Sequence, residues 1–171
     1  HDYIQRHAGS LLTGVISDQK VHFWYGGGRN GKSTCIDAVA AAMGEYAVTV
    51  PIESFLDNGR PKSGGEARPD LVQLDGARLV RTSEPERGQK LAESLIKLAT
   101  GGEPMLVRAL HRDPFELTPK FKLVISGNSK PVVKGNDDGI WRRLRLVPWL
   151  KRIADDDVDF SLPDRIRGEL P

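Results

Sequence analysis

The chain has 171 residues, 39% hydrophobic and 28% charged, with a formal net charge of +2, the profile of a soluble globular domain with a buried core. Its single cysteine, Cys35, excludes an internal disulfide and fits a reducing, cytoplasmic compartment. No apolar stretch is long enough to span a membrane, no signal peptide is visible, and the absence of an initiator methionine before His1 reads as a fragment of a longer protein.

Asp2 to Leu12 reads as a short helix with Ile4, His7, Ala8, Leu11 and Leu12 on one side, closed by Thr13-Gly14. Residues 1–14 are expected to end an upstream helical region. His7 reads as helix surface, because no second ligand stands at metal spacing.

Val21-His22-Phe23-Trp24-Tyr25 is a run fit for a buried strand. It leads into Gly26-Gly27-Gly28-Arg29-Asn30-Gly31-Lys32-Ser33-Thr34, which fits the phosphate-binding pattern G-x-x-x-x-G-K-[ST] without a mismatch. From Ser33 to Met43 the apolar residues Ile36, Val39, Ala40 and Met43 fall on one helix face, and Gly44 ends the pattern. A motif between strand and helix has the context it requires. Glycines let the backbone curl around a triphosphate with its N–H groups inward, and the start of the helix adds positive dipole. Lys32 supplies a point charge for the β- and γ-phosphates, and Ser33 an oxygen for Mg²⁺. Cys35, just past the loop, reads as packing.

Ala47-Val48-Thr49-Val50 is a short strand ending at Pro51, and Asn58 to Pro69 a glycine- and proline-rich loop. One or two helical turns are expected between Arg68 and Leu74. Ala77 to Glu84 reads as a strand ending in Ser83-Glu84, broken at Pro85, and unusually polar because of Arg78 and Arg81. An acid at the end of such a strand can hold the Mg²⁺ shell or orient the attacking water, which makes Glu84 the candidate and Glu86 its alternative. Gln89 to Thr100 reads as a helix with Leu91, Leu95 and Leu98 on one face and Gly101-Gly102 as its stop. Met105 to Leu110 and Phe115 to Leu117 read as a hairpin with a basic tip at His111-Arg112.

Phe121 to Ser126 is a clear strand that ends in Gly127-Asn128. A polar side chain at the carboxyl end of a central strand faces the ligand crevice of an open α/β sheet, so Asn128 is a candidate to sense the γ-phosphate or place the water. After a loop over Val132 to Asp138, Trp141 to Pro148 reads as a last strand led by arginines. The segment from Lys120 to Arg152 holds Lys120, Lys122, Lys130, Lys134, Arg142, Arg143, Arg145, Lys151 and Arg152 against only Asp137 and Asp138. It is either a solvated face or a surface for nucleic acid or a neighbour's nucleotide. Acid then dominates Asp155-Asp156-Asp157 and Asp159.

In series, the phosphate loop, the strand ending Ser-Glu, Lys97-Leu98-Ala99-Thr100-Gly101-Gly102, the basic hairpin, the strand ending in Asn and Trp141-Arg142-Arg143 resemble a superfamily 3 helicase. The type is that found at the C-terminus of phage and plasmid primases and in poxvirus primase-helicases, and the resemblance runs from about Ile4 to the end. It implies an α/β fold of AAA+ P-loop type: a five-stranded parallel sheet flanked by helices, with an inserted β-hairpin. It divides the chain into an upstream end at 1–14, a core at 15–150 and the start of a C-terminal extension at 151–171. It implies a hexameric ring that hydrolyses ATP with Mg²⁺ between subunits around single-stranded DNA, in a bacterial, phage or plasmid setting.

Carried over by position, Lys32 and Ser33 match the phosphate-loop pair, Glu84 the acidic motif and Asn128 the sensor. Lys97 matches a basic position reaching the neighbour's nucleotide. Arg143 matches the arginine finger, with Arg142 in reserve, and His111-Arg112 with Arg108 the hairpin that grips DNA. The acidic motif has one acid after serine where many relatives have two. An ATPase that remodels or loads other proteins, and a module that uses nucleotide only to assemble, remain the alternatives.

Overall fold

The computed structural model describes residues 2–57, 59, 67–83, 89–130, 132–133 and 138–170. Five strands form one parallel sheet: β1 (Val21–Tyr25), β2 (Ala47–Thr49), β3 (Leu79–Thr82), β6 (Lys122–Gly127) and β7 (Leu144–Pro148). Their order is β2-β3-β6-β1-β7. A separate antiparallel hairpin pairs β4 (Met105–Val107) with β5 (Phe115–Leu117), inserted ahead of β6. The expected five-stranded sheet and inserted hairpin are both present.

The order follows from the connections. After β1 the chain crosses to the far edge to lay down β2, and then fills in β3 and β6 back towards β1. It finally passes β1 to place β7 on its other side, with Val21 in register with Leu123 on one flank and Leu144 on the other. The carboxyl end of β1 is therefore a switch point, where an open parallel sheet leaves a crevice.

Alternation along the strands builds two cores. Val21, Phe23, Val80, Leu123 and Ile125 face one side. There they meet Phe55, Leu71 and Leu74, Ile96 and Ala99 of α4 (Glu93–Gly101), the inner residues of the hairpin, and Ile140 of α5 (Asp138–Trp141). Trp24, Leu79, Val124 and Val147 face the other, under α2 (Lys32–Met43) and Leu11 of α1 (Asp2–Leu11). Leu11 is 1% exposed. Burying one such side chain contributes ~1.5–3 kcal/mol, whereas a ten-residue helix is marginal alone, so docking is what holds α1.

Several sequence expectations need correction. His7 is not surface: it is buried on the sheet, its ring 3.8 Å from that of His22 between centroids. Leu12, expected on the apolar side, is 71% exposed, because α1 has ended at Leu11. The helix expected from Gln89 begins at Glu93; Lys90 and Leu91 are extended, and Leu91 bridges to Leu56. The strand expected from Trp141 begins at Leu144, since residues up to Trp141 belong to the turn of α5. Of the arginines that made this strand look polar, Arg78 lies just before β3 and keeps a buried Nη1 without a hydrogen-bond partner among the described residues. Arg81 pairs with Asp37 on α2 and donates to Thr49 Oγ1 at 2.8 Å, and the Arg78 guanidinium lies 5.9 Å from the Tyr46 ring centroid.

Candidate functional site

The loop between β1 and α2 lies at the switch point. Its start is fixed to the neighbouring strand, because Gly26 N–H donates to the Gly127 carbonyl at 3.2 Å. Its backbone then turns through left-handed conformations at Gly28, Arg29 and Gly31, with φ of 73°, 45° and 78°. Gly31 is the residue from which α2 starts, and a side chain there would be strained. Gly31 brings no side chain to cap that helix start, and Asn30 Oδ1 takes only the first N–H, that of Lys32, at 3.3 Å. The first-turn N–H groups are the ones an anion would use.

Lys32 is 7% exposed. Its Nζ donates to the Gly26 carbonyl at 3.2 Å and lies 3.5 Å from Asn30 Oδ1. A buried ammonium that meets neutral oxygens, with no carboxylate bonded to it among the described residues, lacks the counter-charge that burial ordinarily demands. Ser33 beside it is exposed, and Thr34 half-buried. Gly27 and Gly28 have open space where a Cβ would stand. Gly26 does not: a Cβ there would lie 2.1 Å from the Trp149 carbonyl oxygen. Arg29 is exposed and paired with Asp155.

The other expected residues divide. Asn128 is exposed directly after Gly127, whose carbonyl holds Gly26, so it stands at the rim of the loop. Glu84 and Glu86 lie outside the described residues; β3, which leads to them, ends two strands from β1 on the same carboxyl edge. Lys97 is half-buried on α4. At the hairpin, His111 and Arg112 are exposed at the tip, with His111 in a left-handed turn at φ 57°. Arg108 separates from them. It is half-buried, its carbonyl accepts from Arg68 N–H at 2.9 Å, and its Nε is buried without a partner among the described residues.

The finger assignment changes most. Arg143 is 8% exposed; its Nε donates to Thr100 Oγ1 at 3.1 Å and an NH group to the Gly139 carbonyl at 2.7 Å. In this structure the Arg143 guanidinium is engaged within its own chain, and Arg143 does not stand as a free, exposed arginine. Arg142, the reserve, is exposed. The basic segment thins for the same reason, since Lys122 is buried and bonded to Asp18 Oδ1 at 2.7 Å.

Two features were missed. Trp149, Ile153 and Asp155 close over the loop: the Trp149 carbonyl accepts from Asn30 Nδ2 at 2.9 Å, and Ile153 N–H donates to the Arg29 carbonyl at 2.7 Å. Lys130 lies with its ammonium 5.5 Å from the ring centroid of Tyr25, the residue before the loop. Only the charge runs hinted at either.

A family model matches residues 24–143, from inside β1 to Arg143, and so encloses the loop, β6 and the hairpin. The chain belongs to DUF5906, a family of unknown function. This DUF5906 chain is 30% identical over 151 residues to a protein of Acanthamoeba polyphaga mimivirus named "Putative helicase", covering 88% of the chain and 16% of that protein. It is equally identical over 151 residues to one so named in Frog virus 3, covering 86% of the chain and 15% of the relative. A third, in Invertebrate iridescent virus 6, is 26% identical over 165 residues, covering 94% and 17%. The chain thus spans about a sixth of each relative's length.

Among solved structures, the NrS-1 C-terminal region aligns with TM-score 0.64 and 11% identity over 95% of the chain and 38% of that structure. JCV Helicase aligns with TM-score 0.54 and 13% identity over 97% and 46%. These likenesses are of fold. The helicase resemblance that the motif order carried is matched by the names of the relatives in sequence, and the expected fold by the neighbours in architecture. No helix among the described residues is long and apolar enough to cross a membrane.

Proposed function

We propose that this DUF5906 chain is the ATP-hydrolysing motor core of a replication helicase that works as a ring, a hexamer, on single-stranded DNA. The observation that carries the reading is Lys32: a buried cation inside a glycine loop, at the switch point of a parallel sheet, with only neutral oxygens bonded to it among the described residues. A triphosphate would supply the counter-charge that no described residue gives Lys32, and the other first-turn N–H groups of α2 would supply further donors. Ser33 and Glu84 would hold Mg²⁺, which would neutralise charge on the phosphates. Asn128, exposed at the loop's rim, would orient the attacking water or sense the γ-phosphate. Lys97 and Arg142 would be lent to the neighbour's nucleotide, Arg142 as the arginine finger in place of Arg143. Until the ring assembles, each site lacks that cation, so a lone chain turns over poorly.

The exposed tip at His111 and Arg112 is the proposed grip on DNA. Backbone contacts from such a tip are sequence-tolerant and salt-sensitive. The test is ATP turnover with and without single-stranded DNA for wild type and the double variant His111→Ala, Arg112→Ala. The DNA-dependent part of turnover should vanish in the variant. Stimulation that persists undiminished would favour an ATPase that remodels or loads proteins.

A further inference from the structure

Asn30 stands where three parts of the molecule meet. Its Nδ2 donates to the Trp149 carbonyl at 2.9 Å, tying the phosphate loop to the residue after β7. Its Oδ1 accepts from Lys32 N–H at 3.3 Å and lies 3.5 Å from Lys32 Nζ. A neutral amide carries a donor and an acceptor on separate atoms and serves both contacts at once. Alanine serves neither. Aspartate keeps the acceptor, loses the donor and brings a negative charge to a place meant for phosphate. The contact is also close-packed, since a Cβ on Gly26 would meet both the Trp149 carbonyl oxygen, at 2.1 Å, and Asn30 Nδ2, at 2.7 Å.

The segment beyond Trp149 continues along the loop. Trp149 N–H donates to the Tyr25 carbonyl at 2.8 Å, which extends the β1–β7 pairing by one step. Ile153 N–H donates to the Arg29 carbonyl at 2.7 Å, and Asp155 pairs with the Arg29 guanidinium. Arg29 and Asp155 are 55% and 70% exposed, so that ion pair adds little holding strength. Beyond the Trp149–Tyr25 step, the hydrogen bonds from Asn30 and from Ile153 are what closes the segment on the loop.

We propose that Asn30 is a positioning residue, which orients Lys32 and clasps residues 149–153 onto the phosphate loop so that this segment forms a wall of the nucleotide site. The assignment of the site as one for a triphosphate rests on the function proposed above; the clasp itself does not.

The experiment is amide hydrogen exchange on the nucleotide-free chain, wild type against Asn30→Ala, followed by binding of a non-hydrolysable ATP analogue with Mg²⁺. In the variant the Ile153 amide should exchange about tenfold faster or more, while the amides of Leu123, Val124 and Ile125 in β6 stay as in wild type. Affinity for the analogue should fall by about tenfold. Should Asn30→Ala also lose protection in β6, Asn30→Ser, with a shorter hydrogen-bonding group in the same space, makes the same comparison. Exchange at Ile153 at the wild-type rate overturns the clasp, and faster exchange with unchanged affinity overturns the role at the site. A wild type that exchanges as described and binds no analogue leaves the clasp standing and removes the triphosphate reading instead.

Discussion

Arg142 and Arg143 are adjacent, and the end of one helical turn sends them opposite ways. Residues 138–141 wind as α5, Arg143 N–H still donates to the Ile140 carbonyl at 3.0 Å, and the side chain of Arg143 is carried inward onto Thr100. Thr100 is itself held by α4, its hydroxyl donating to the Ile96 carbonyl at 2.7 Å while accepting from Arg143. Removing this arginine leaves a buried hydroxyl and the Gly139 carbonyl short of a donor. Arg143→Ala should therefore lower unfolding free energy in urea by roughly 1–3 kcal/mol, while Arg142→Ala stays within about 0.5 kcal/mol of wild type. Equal, small effects would show that the inward pairing is not held in solution. The sequence shows two arginines before a strand and nothing that ranks them. Which one is buried depends on where α5 stops, a boundary that composition does not mark.

Among the elements, α1 is tied to the sheet by a pair of histidines. Tyr3 OH is hydrogen-bonded to His22 Nδ1 at 2.7 Å, and the His7 ring lies tilted against the same imidazole, 3.8 Å between centroids. Both rings are neutral. Burial pushes His7 down to about 4, with Lys122 adding to the fall and Asp18 opposing it. Burial likewise pushes His22 down to about 2, helped by His7, Lys122, Arg145 and Lys20. The sign follows: an unfolded chain takes up these protons near pH 6.5 and the folded one does not. Stability is whole above about pH 6.5 and is lost as pH falls towards 4 for His7 and further for His22. His7→Phe, which keeps a ring against His22 and removes one titrating group, should flatten the dependence of the urea midpoint between pH 6.5 and 4. A slope identical to wild type would mean that His7 is not buried as a neutral ring. The 3.6-residue period did place His7 on the side of Leu11; the spacing of metal ligands says nothing about burial, and that is why it read as surface. The same limit misplaced the start of α4, where Leu91 continues the leucine spacing while its backbone is already committed to a bridge with Leu56.

At the scale of the molecule, what was legible is what is local. The loop from Gly26 to Thr34 is readable because its chemistry needs fixed residue types within nine positions, and the strand before it and helix after it lie where periodicity puts them. The strand order is not readable residue by residue, since each strand's pattern is silent on its neighbours; only the family resemblance supplied the sheet. The clasp on the loop was out of reach for the same reason, with Asn30 and Trp149 separated by 119 positions. Glu84 lies outside the described residues, and its role as the acid rests on motif order. The central claim, that one copy's buried Lys32 and a neighbour's exposed Arg142 complete one ATPase site, is tested most directly by mixing two inactive chains. Lys32→Ala and Arg142→Ala should each turn over ATP at least ~10³-fold more slowly than wild type, on the scale of a trans arginine where one has been measured. Mixed in equal amounts with single-stranded DNA, they should regain a substantial part of wild-type turnover, because some interfaces then pair an intact Lys32 with an intact Arg142. Turnover that stays at the level of the separate variants would contradict the account.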